Sequence, residues 1–246
     1  MVRETQNIFD DEIFFNGYQT LRKNPDSANL LEEKPALFML SPHLSGKRVL
    51  DLGCGYGENC AEFSMRGAKN VIGIDISQKM LDVAKKENPD IEFICMDMND
   101  LSSLEGEYDI VFSSLAIHYI QDLKTLALSV YKLLNNGGYF IFSQEHPLTT
   151  APVYGASWEK GTDGTILHYR LTDYTRNGER KTRWFIDNVI KYHRTFSDLL
   201  NALIECGFII EKLVEPIPSE ETIKRLPDYE KDLHKPNFLL VKAKKG

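Results

Sequence analysis

Short apolar runs alternate with amphipathic segments through the middle of the chain. The runs have the composition of buried parallel strands and lie at 49–52, 71–75, 91–95, 108–112 and 139–142. Helical periodicity lies at 58–66, from a cap at Ser77 to just before Pro89, and at 123–134 ahead of Asn136-Gly137-Gly138. This alternation predicts a mainly parallel sheet with right-handed crossovers.

Both ends of the chain add elements to this pattern. Residues 8–22 place apolar side chains at helical spacing, and a second helix should end near Ser41-Pro42. Near the other end, Ser197 is a predicted helix cap, and that helix should stop at Gly207. Apolar runs at 208–214 and 238–241 then bring the sheet to seven strands.

The pattern changes between His146 and about Thr195, where aromatic and β-forming residues dominate. Asn177-Gly178 stands between two such runs, 167–175 and 180–186, and an Asn-Gly pair in that position favours a tight hairpin. We therefore predict an α/β fold whose doubly wound, mainly parallel, seven-stranded sheet carries an antiparallel β insertion.

Composition limits the function without naming it. The 246 residues are 42% hydrophobic and 26% charged, which is ordinary for a globular protein of one large domain or one domain with an insertion. No apolar run is long enough to cross a bilayer, and the polar, acidic start does not resemble a secretory signal. A net charge of −7 argues against a broad nucleic-acid surface. The four cysteines are scattered, so we expect reduced thiols in a cytoplasmic protein.

The most informative stretch is RVLDLGCGYGENC at 48–60, which joins a strand to a helix through three glycines. Glycines let the backbone turn sharply and let a ligand approach closely, and the helix start beyond them offers unpaired N–H groups. Glu58 stands where a dinucleotide fingerprint needs its third glycine, and its carboxylate would repel a pyrophosphate. The loop therefore favours a nucleoside without phosphates. Asp51 is placed to meet a cationic amine, directly or through water.

Asp75 ends the second strand, where a doubly wound fold places the carboxylate that holds both ribose hydroxyls. An acid at this position also serves as a helix cap in other proteins, but Ser77 already offers a cap here.

The stretch 48–60 resembles the first motif of the class I S-adenosylmethionine-dependent methyltransferases, and the resemblance continues from Lys47 to Gln144. It implies S-adenosylmethionine as the cofactor and a Rossmann-like methyltransferase fold. It also implies that the Asp97 carboxylate accepts from the adenine amino group while the Met98 N–H donates. The predicted cofactor-binding residues are Asp51, Gly53, Cys54, Gly55, Asp75, Ile76, Met80, Asp97, Met98 and Ser113, with Tyr18 and Arg22 closing over the methionine carboxylate.

The segment SSLAIHYI, after the fourth strand, lies in register with the methyl-transfer segment of small-molecule methyltransferases. The resemblance thins over the insertion, and its later segments are similar to those of poorly characterised bacterial members. Candidate general bases are His118 and His146, and candidate acceptor-binding residues are Tyr119, His193 and Arg194. Each could instead be a structural residue of the fold.

The same segment lacks the motifs of methyltransferases that act on nucleic-acid bases or protein arginines, and no acidic set for magnesium is visible. We therefore expect a small-molecule O, N or C nucleophile, methylated by direct displacement without a metal, in a monomer or homodimer. Two alternatives stay open: a non-catalytic S-adenosylmethionine-binding regulator, and a nicotinamide-dependent oxidoreductase. The predicted parts are a helical segment at 1–45 that covers the cofactor, a cofactor-binding domain at 46–145 and 196–246, and a substrate cap at 146–195.

Overall fold

The computed structural model describes residues 5–154 and 158–246. Its helices and strands follow in chain order: α1 (Glu12–Arg22), α2 (Lys34–Leu40), β1 (Arg48–Leu52), α3 (Glu58–Met65), β2 (Asn70–Asp75), α4 (Gln78–Glu87), β3 (Glu92–Cys95), β4 (Tyr108–Ser113), α5 (Leu123–Leu133), β5 (Leu134–Glu145), α6 (Pro147–Thr150), β6 (Trp158–Lys160), β7 (Ile166–Tyr169), β8 (Gly178–Trp184), β9 (Ile186–His193), α7 (Phe196–Ile204), β10 (Phe208–Val214), α8 (Glu220–Arg225) and β11 (Phe238–Lys245). A π-helical segment, Asn29–Glu33, leads directly into α2.

Seven strands form one sheet in the order β10-β11-β5-β4-β1-β2-β3. The pairs among β1 to β5 are parallel, whereas β11 is antiparallel to both of its neighbours. The predicted doubly wound, mainly parallel sheet is therefore confirmed. Two further hairpins, β6–β7 and β8–β9, supply the antiparallel insertion.

The side chains of each strand alternate between the two faces of the sheet. Both faces therefore carry apolar side chains, and helices cover both. Leu50 and Leu52 belong to a buried cluster with α5 and α7, while Val49 belongs to a second cluster with α2, α3 and α4. With both faces buried, the carboxyl ends of the strands remain as the place for a ligand.

The predicted hairpin at Asn177-Gly178 is wrong. The tight turn lies at Phe185, whose φ is 60°, and it pairs β8 with β9 in a register that sets Trp184 opposite Ile186. The pairing joins the two strands that carry buried side chains, Arg180 on β8 and Val189 on β9. An Asn-Gly pair is a local signal, and burial on the partner strand overrides it. Asn177 instead accepts from the Thr195 N–H at 3.0 Å, beside the start of α7.

Two helix boundaries also differ from their predictions. Thr195, not Ser197, caps α7, and its hydroxyl accepts from the Asp198 N–H. The helix α5 ends at Leu133, so that Gly137 lies within β5 instead of closing the helix. The second helix, α2, ends at Leu40, beside Ser41-Pro42 as predicted. Ser77 also caps α4 as predicted, accepting from the Met80 N–H at 3.1 Å.

Within residues 5–154 and 158–246, none of the helices combines the length and the apolar character that crossing a bilayer requires.

Candidate functional site

A cavity of about 610 Å³ opens at the carboxyl ends of four neighbouring strands, β4, β1, β2 and β3. Each strand contributes the residues at or just beyond its end: Ser114, Leu115 and Ala116 after β4, Gly53 and Gly55 after β1, Asp75 and Ile76 at β2, and Asp97, Met98 and Asn99 after β3. Its volume lies within the range of cofactor and drug-sized ligand sites.

The glycine loop forms the floor of this cavity. Gly53, Gly55 and Gly57 have φ values of 70°, 54° and 75°, a region that glycine enters with little strain. A Cβ on Gly53 would lie only 2.6 Å from the Ala116 Cβ, so the loop and the segment after β4 are in close contact. At Gly55, by contrast, a Cβ would meet no atom within 4 Å, so the bare backbone there leaves room for a ligand.

Asp75 is fixed at the edge of the loop by backbone donors. One carboxylate oxygen accepts from the Gly55 N–H at 2.8 Å and the other from the Ser77 N–H at 2.9 Å. Burial raises the pKa of Asp75, and these backbone bonds oppose that rise. Because Asp75 lines the cavity and each carboxylate oxygen has further lone pairs, it can still accept from two neighbouring hydroxyls of a ligand.

Asp51 lies beneath the loop, fully buried and outside the cavity lining. Cys60 Sγ donates to one of its oxygens at 3.4 Å, and the other oxygen is buried with no hydrogen-bond partner. Burial raises the pKa of Asp51 to about 7. This unpaired oxygen leaves one hydrogen-bond acceptor free beneath the glycine loop.

The pKa of Asp51 predicts how stability depends on pH. In the unfolded chain the carboxyl of Asp51 ionises near its ordinary pKa. Above about pH 4 the chain must therefore bind a proton at Asp51 when it folds, or else bury a charged carboxylate, and both lower its stability. Replacing Asp51 with asparagine should remove this penalty, and the stability difference in favour of the variant should grow by about 3 kcal/mol between pH 5 and pH 8. Urea unfolding of both proteins at the two pH values measures it. A difference that does not change with pH would contradict the assigned pKa.

The end of the cavity beyond β2 and β3 is lined by Ile76, Met80, Asp97 and Met98, all four predicted from the sequence. Asp97 Oδ1 accepts from both the backbone and the side-chain amide of Asn99, at 2.8 and 2.9 Å. This turn holds the carboxylate beside two methionines and an isoleucine. Apolar walls with one fixed acceptor suit a flat base that carries an amino group.

The segment that precedes α1 forms part of the cavity wall. Its individual contacts could not be predicted from the sequence. Thr5, Gln6 and Phe9 line the cavity together with Tyr18 of α1. The side-chain amide of Gln6 makes two hydrogen bonds to the backbone of Ile190 on β9. Its Nε2 donates to the Ile190 carbonyl at 3.3 Å, and its Oε1 accepts from the Ile190 N–H at 2.8 Å. Asp10 accepts from Ser77 Oγ at 2.6 Å, so the segment spans from β9 to α4.

Tyr119 is the one predicted acceptor-binding residue that lines the cavity. Burial raises the pKa of its hydroxyl well above the ordinary value. Its ring lies edge-on to Phe9, with the centroids 6.0 Å apart. Sequence reasoning missed the residues that surround it, because they come from the hairpin and from the turn after β4: Ile120, Gln121, Asp122, Glu179, Lys181, Ile190 and Tyr192.

The histidines proposed from the sequence lie outside the cavity lining. Burial lowers the pKa of His118 to about 4, and its Nδ1 accepts from the Glu145 N–H at 3.4 Å. His146 caps α6 through Nδ1, while Nε2 lies 2.8 Å from a Glu215 oxygen. His193 lies between Thr150 and the Tyr174 carbonyl, 2.8 Å from each. Each of the three rings therefore makes at least one hydrogen-bond contact within the fold.

Four other predicted residues also lie outside the lining. Arg194 donates to the carbonyls of Ile120 and Gln121, so it supports a lining segment from behind. Ser113 Oγ donates to the Leu52 carbonyl at 2.8 Å and joins β4 to β1. The other two are Cys54, whose N–H donates to the Ile74 carbonyl at 2.9 Å, and Arg22, which is bonded to Glu58 and Asn29.

No group of three or more His, Cys, Asp or Glu side chains suited to a metal ion occurs among the residues that the structure describes.

Comparison with known proteins agrees with this geometry. Residues 50–142 match the family model of a methyltransferase domain. The chain is 38% identical to an uncharacterized protein of Haemophilus influenzae over 251 aligned positions, which cover 97% of each chain. A crystal structure of an S-adenosylmethionine-dependent methyltransferase from Mesorhizobium loti is 38% identical, with a TM-score of 0.81 over 89% of this chain and 98% of that one. The crystal structure of a putative S-adenosylmethionine-dependent methyltransferase from Listeria monocytogenes is 36% identical, with a TM-score of 0.80 over 87% of this chain and 96% of that one.

Proposed function

Because this chain belongs to the S-adenosylmethionine-dependent methyltransferases, we propose that it methylates an O, N or C nucleophile of a small molecule held in the cavity at the carboxyl ends of β4, β1, β2 and β3. The observation that carries the proposal is the joint placement of Asp75, Asp97 and the bare loop at Gly53 around that one cavity. When bound, the cofactor supplies an electrophilic methyl group on its sulfonium.

The roles within the cavity follow from the contacts. Asp75 binds the ribose hydroxyls, and Asp97 and Met98 bind the adenine edge between Ile76 and Met80. The unpaired oxygen of Asp51, beneath the loop, interacts with the cofactor's ammonium group directly or through water. Arg22 supports the carboxylate end of the cofactor from behind the lining.

The acceptor occupies the side of the cavity formed by Tyr119, Gln121, Ile190 and Tyr192. Phe9 and Tyr18 also line the cavity, and in this proposal their rings exclude water from the reacting atoms. Among the described residues, no histidine lines the cavity, and His118 is neutral at physiological pH. The proposed catalysis is therefore by positioning and by exclusion of water.

The first experiment is titration calorimetry of the purified protein with S-adenosylmethionine, with S-adenosylhomocysteine and with NAD⁺ as a control. We expect both nucleosides to bind and NAD⁺ not to bind, because Glu58 stands at the start of α3. Failure of both nucleosides to bind would contradict the proposal.

The second experiment separates an enzyme from a binder that transfers nothing. Release of S-adenosylhomocysteine is measured while the protein is offered small phenols, amines, carboxylic acids and activated carbon acids in turn. We expect turnover with one acceptor class. Binding without turnover for every class would favour a non-catalytic regulator.

We propose a cytoplasmic protein, active as a monomer or homodimer, with no nucleic-acid or membrane partner.

A further inference from the structure

Glu33, the last residue of the π-helical segment, is a fully buried carboxylate behind the wall of the methyl-transfer cavity. One of its oxygens accepts from Ser114 Oγ at 2.9 Å and also from Ser143 Oγ. The other accepts from Asn29 Nδ2 at 2.6 Å. A buried carboxylate is costly to fold unless its oxygens are bonded, and here both oxygens are.

The serine contacts reach the cavity directly. Ser114 lines it, as do the two residues that follow, Leu115 and Ala116. Leu115 has a φ of 53°, a conformation that a leucine adopts only under constraint. The Leu115 N–H is shared by two acceptors on Ser143, the backbone carbonyl at 3.2 Å and the hydroxyl at 3.0 Å, and that hydroxyl donates to Glu33. Glu33 thus contacts the segment 114–116 directly at Ser114 and indirectly through the Ser143 hydroxyl.

The shape of this segment matters because of its close contact with the glycine loop. Ala116 lies where any side chain on Gly53 would collide with it, so a shift of the segment changes the cofactor's part of the cavity. On the other side, Asn29 accepts from Arg22, which also pairs with Glu58 at the start of α3. The chain of bonds therefore joins the segment after β4 to the helix that follows the glycine loop.

We propose that Glu33 is a positioning residue of the methyl-transfer site, which holds segment 114–116 against the glycine loop through Ser114 and Ser143. The proposal rests on the proposed function, since it assigns the cavity to S-adenosylmethionine. Glu33 itself does not line the cavity. Burial raises its pKa, and its bonds to the two serines oppose that rise.

The π-helical segment supplies a matched control. Glu32 is also buried, but neither of its oxygens has a hydrogen-bond partner, and it does not line the cavity. Burial, together with the charge of Asp232, raises the pKa of Glu32 to about 7. The same substitution, glutamate to glutamine, can therefore be made at adjacent positions of one helix. Only one of them touches the wall of the site.

The test is calorimetric binding of S-adenosylhomocysteine, with unfolding free energy measured in parallel. Glu33→Leu should weaken binding at least about tenfold, because a lost bond to a charged group is worth about 1.5–3 kcal/mol. Glu33→Gln should weaken it only about threefold, since its amide oxygen still accepts from the serines while its NH₂ faces the Asn29 donor. Glu32→Gln should bind as the wild type does.

A double-mutant cycle separates positioning from general destabilisation. If Glu33 acts through Ser114, adding Ser114→Ala to Glu33→Leu should weaken binding by less than about twofold, although Ser114→Ala alone weakens it about threefold. Should Glu33→Leu fail to fold, the cycle is run with Glu33→Met, which has a similar length and also removes both acceptor oxygens. Additive losses, or unchanged affinity in folded Glu33 variants, would overturn this inference alone. A wild-type chain that does not bind the nucleoside would overturn the proposed function as well.

Discussion

Replacing Asp75 with alanine should weaken the affinity for S-adenosylmethionine at least about tenfold. The proposed role gives this carboxylate two hydroxyl donors, and each charge-assisted bond is worth about 1.5–3 kcal/mol. The loss should be larger than the ligand bonds alone imply, because Asp75 also accepts from the Gly55 and Ser77 N–H groups and so shapes the loop. Calorimetry at pH 7.5 measures the change.

Asp82→Ala is the matched control for this prediction. Asp82 lies on the exposed face of α4, the helix that follows Asp75, and accepts only from Gln78, within that helix. Its removal should leave the affinity within about twofold of the wild type, a change of less than about 0.5 kcal/mol. If Asp75→Ala and Asp82→Ala bind the nucleoside equally well, the ribose assignment is wrong.

Gly53→Ala should lower both the stability and the cofactor affinity. The new Cβ would lie 2.6 Å from the Ala116 Cβ and 3.1 Å from Met98 Cε, at a φ of 70° that disfavours any side chain. The backbone penalty is about 1–2 kcal/mol and the overlap adds about 1–3 kcal/mol. Because Ala116 and Met98 both line the cavity, relief of the overlap must also displace its walls. Urea unfolding and calorimetry measure the two effects.

Gly46→Ala separates the two causes. Gly46 has a similar φ of 76°, but a Cβ there would meet no atom within 4 Å. It should lose only the backbone penalty of about 1–2 kcal/mol and keep its full cofactor affinity. Equal behaviour of the two variants would show that the contact between Gly53 and Ala116 does not constrain the site.

The sheet was predictable because its signals are local. Each buried strand is a short apolar run that ends in polar or glycine residues, and the acid at the end of β2 follows from the same pattern. The β8–β9 pairing was not predictable, since the strand that β8 contacts depends on burial that only the folded insertion creates. A favourable turn pair such as Asn177-Gly178 carries no information about distant partners.

The cavity residues proposed to bind the cofactor were predictable for the same reason: Gly53, Asp75 and Asp97 are fixed by their place at the ends of strands. Most of the residues proposed to bind the acceptor were not. Only 120–122 follow Tyr119 directly, whereas the hairpin and the segment before α1 reach the cavity through the fold and not through any spacing in the sequence. His118 illustrates the limit: its ring is buried with its centroid 4.4 Å from that of Tyr119, yet only Tyr119 lines the cavity.

The tip of the β8–β9 hairpin rests on α1, where the Phe185 ring fills the space that a side chain on Gly17 would need. The hairpin and α1, which both contribute residues to the cavity lining, are thereby in direct contact, so we expect a movement of one to displace the other. A change in the length of the β8–β9 turn would therefore have to be matched by a change in α1. A shorter or longer tip would unseat the aromatic ring, and the site would open to water from both sides.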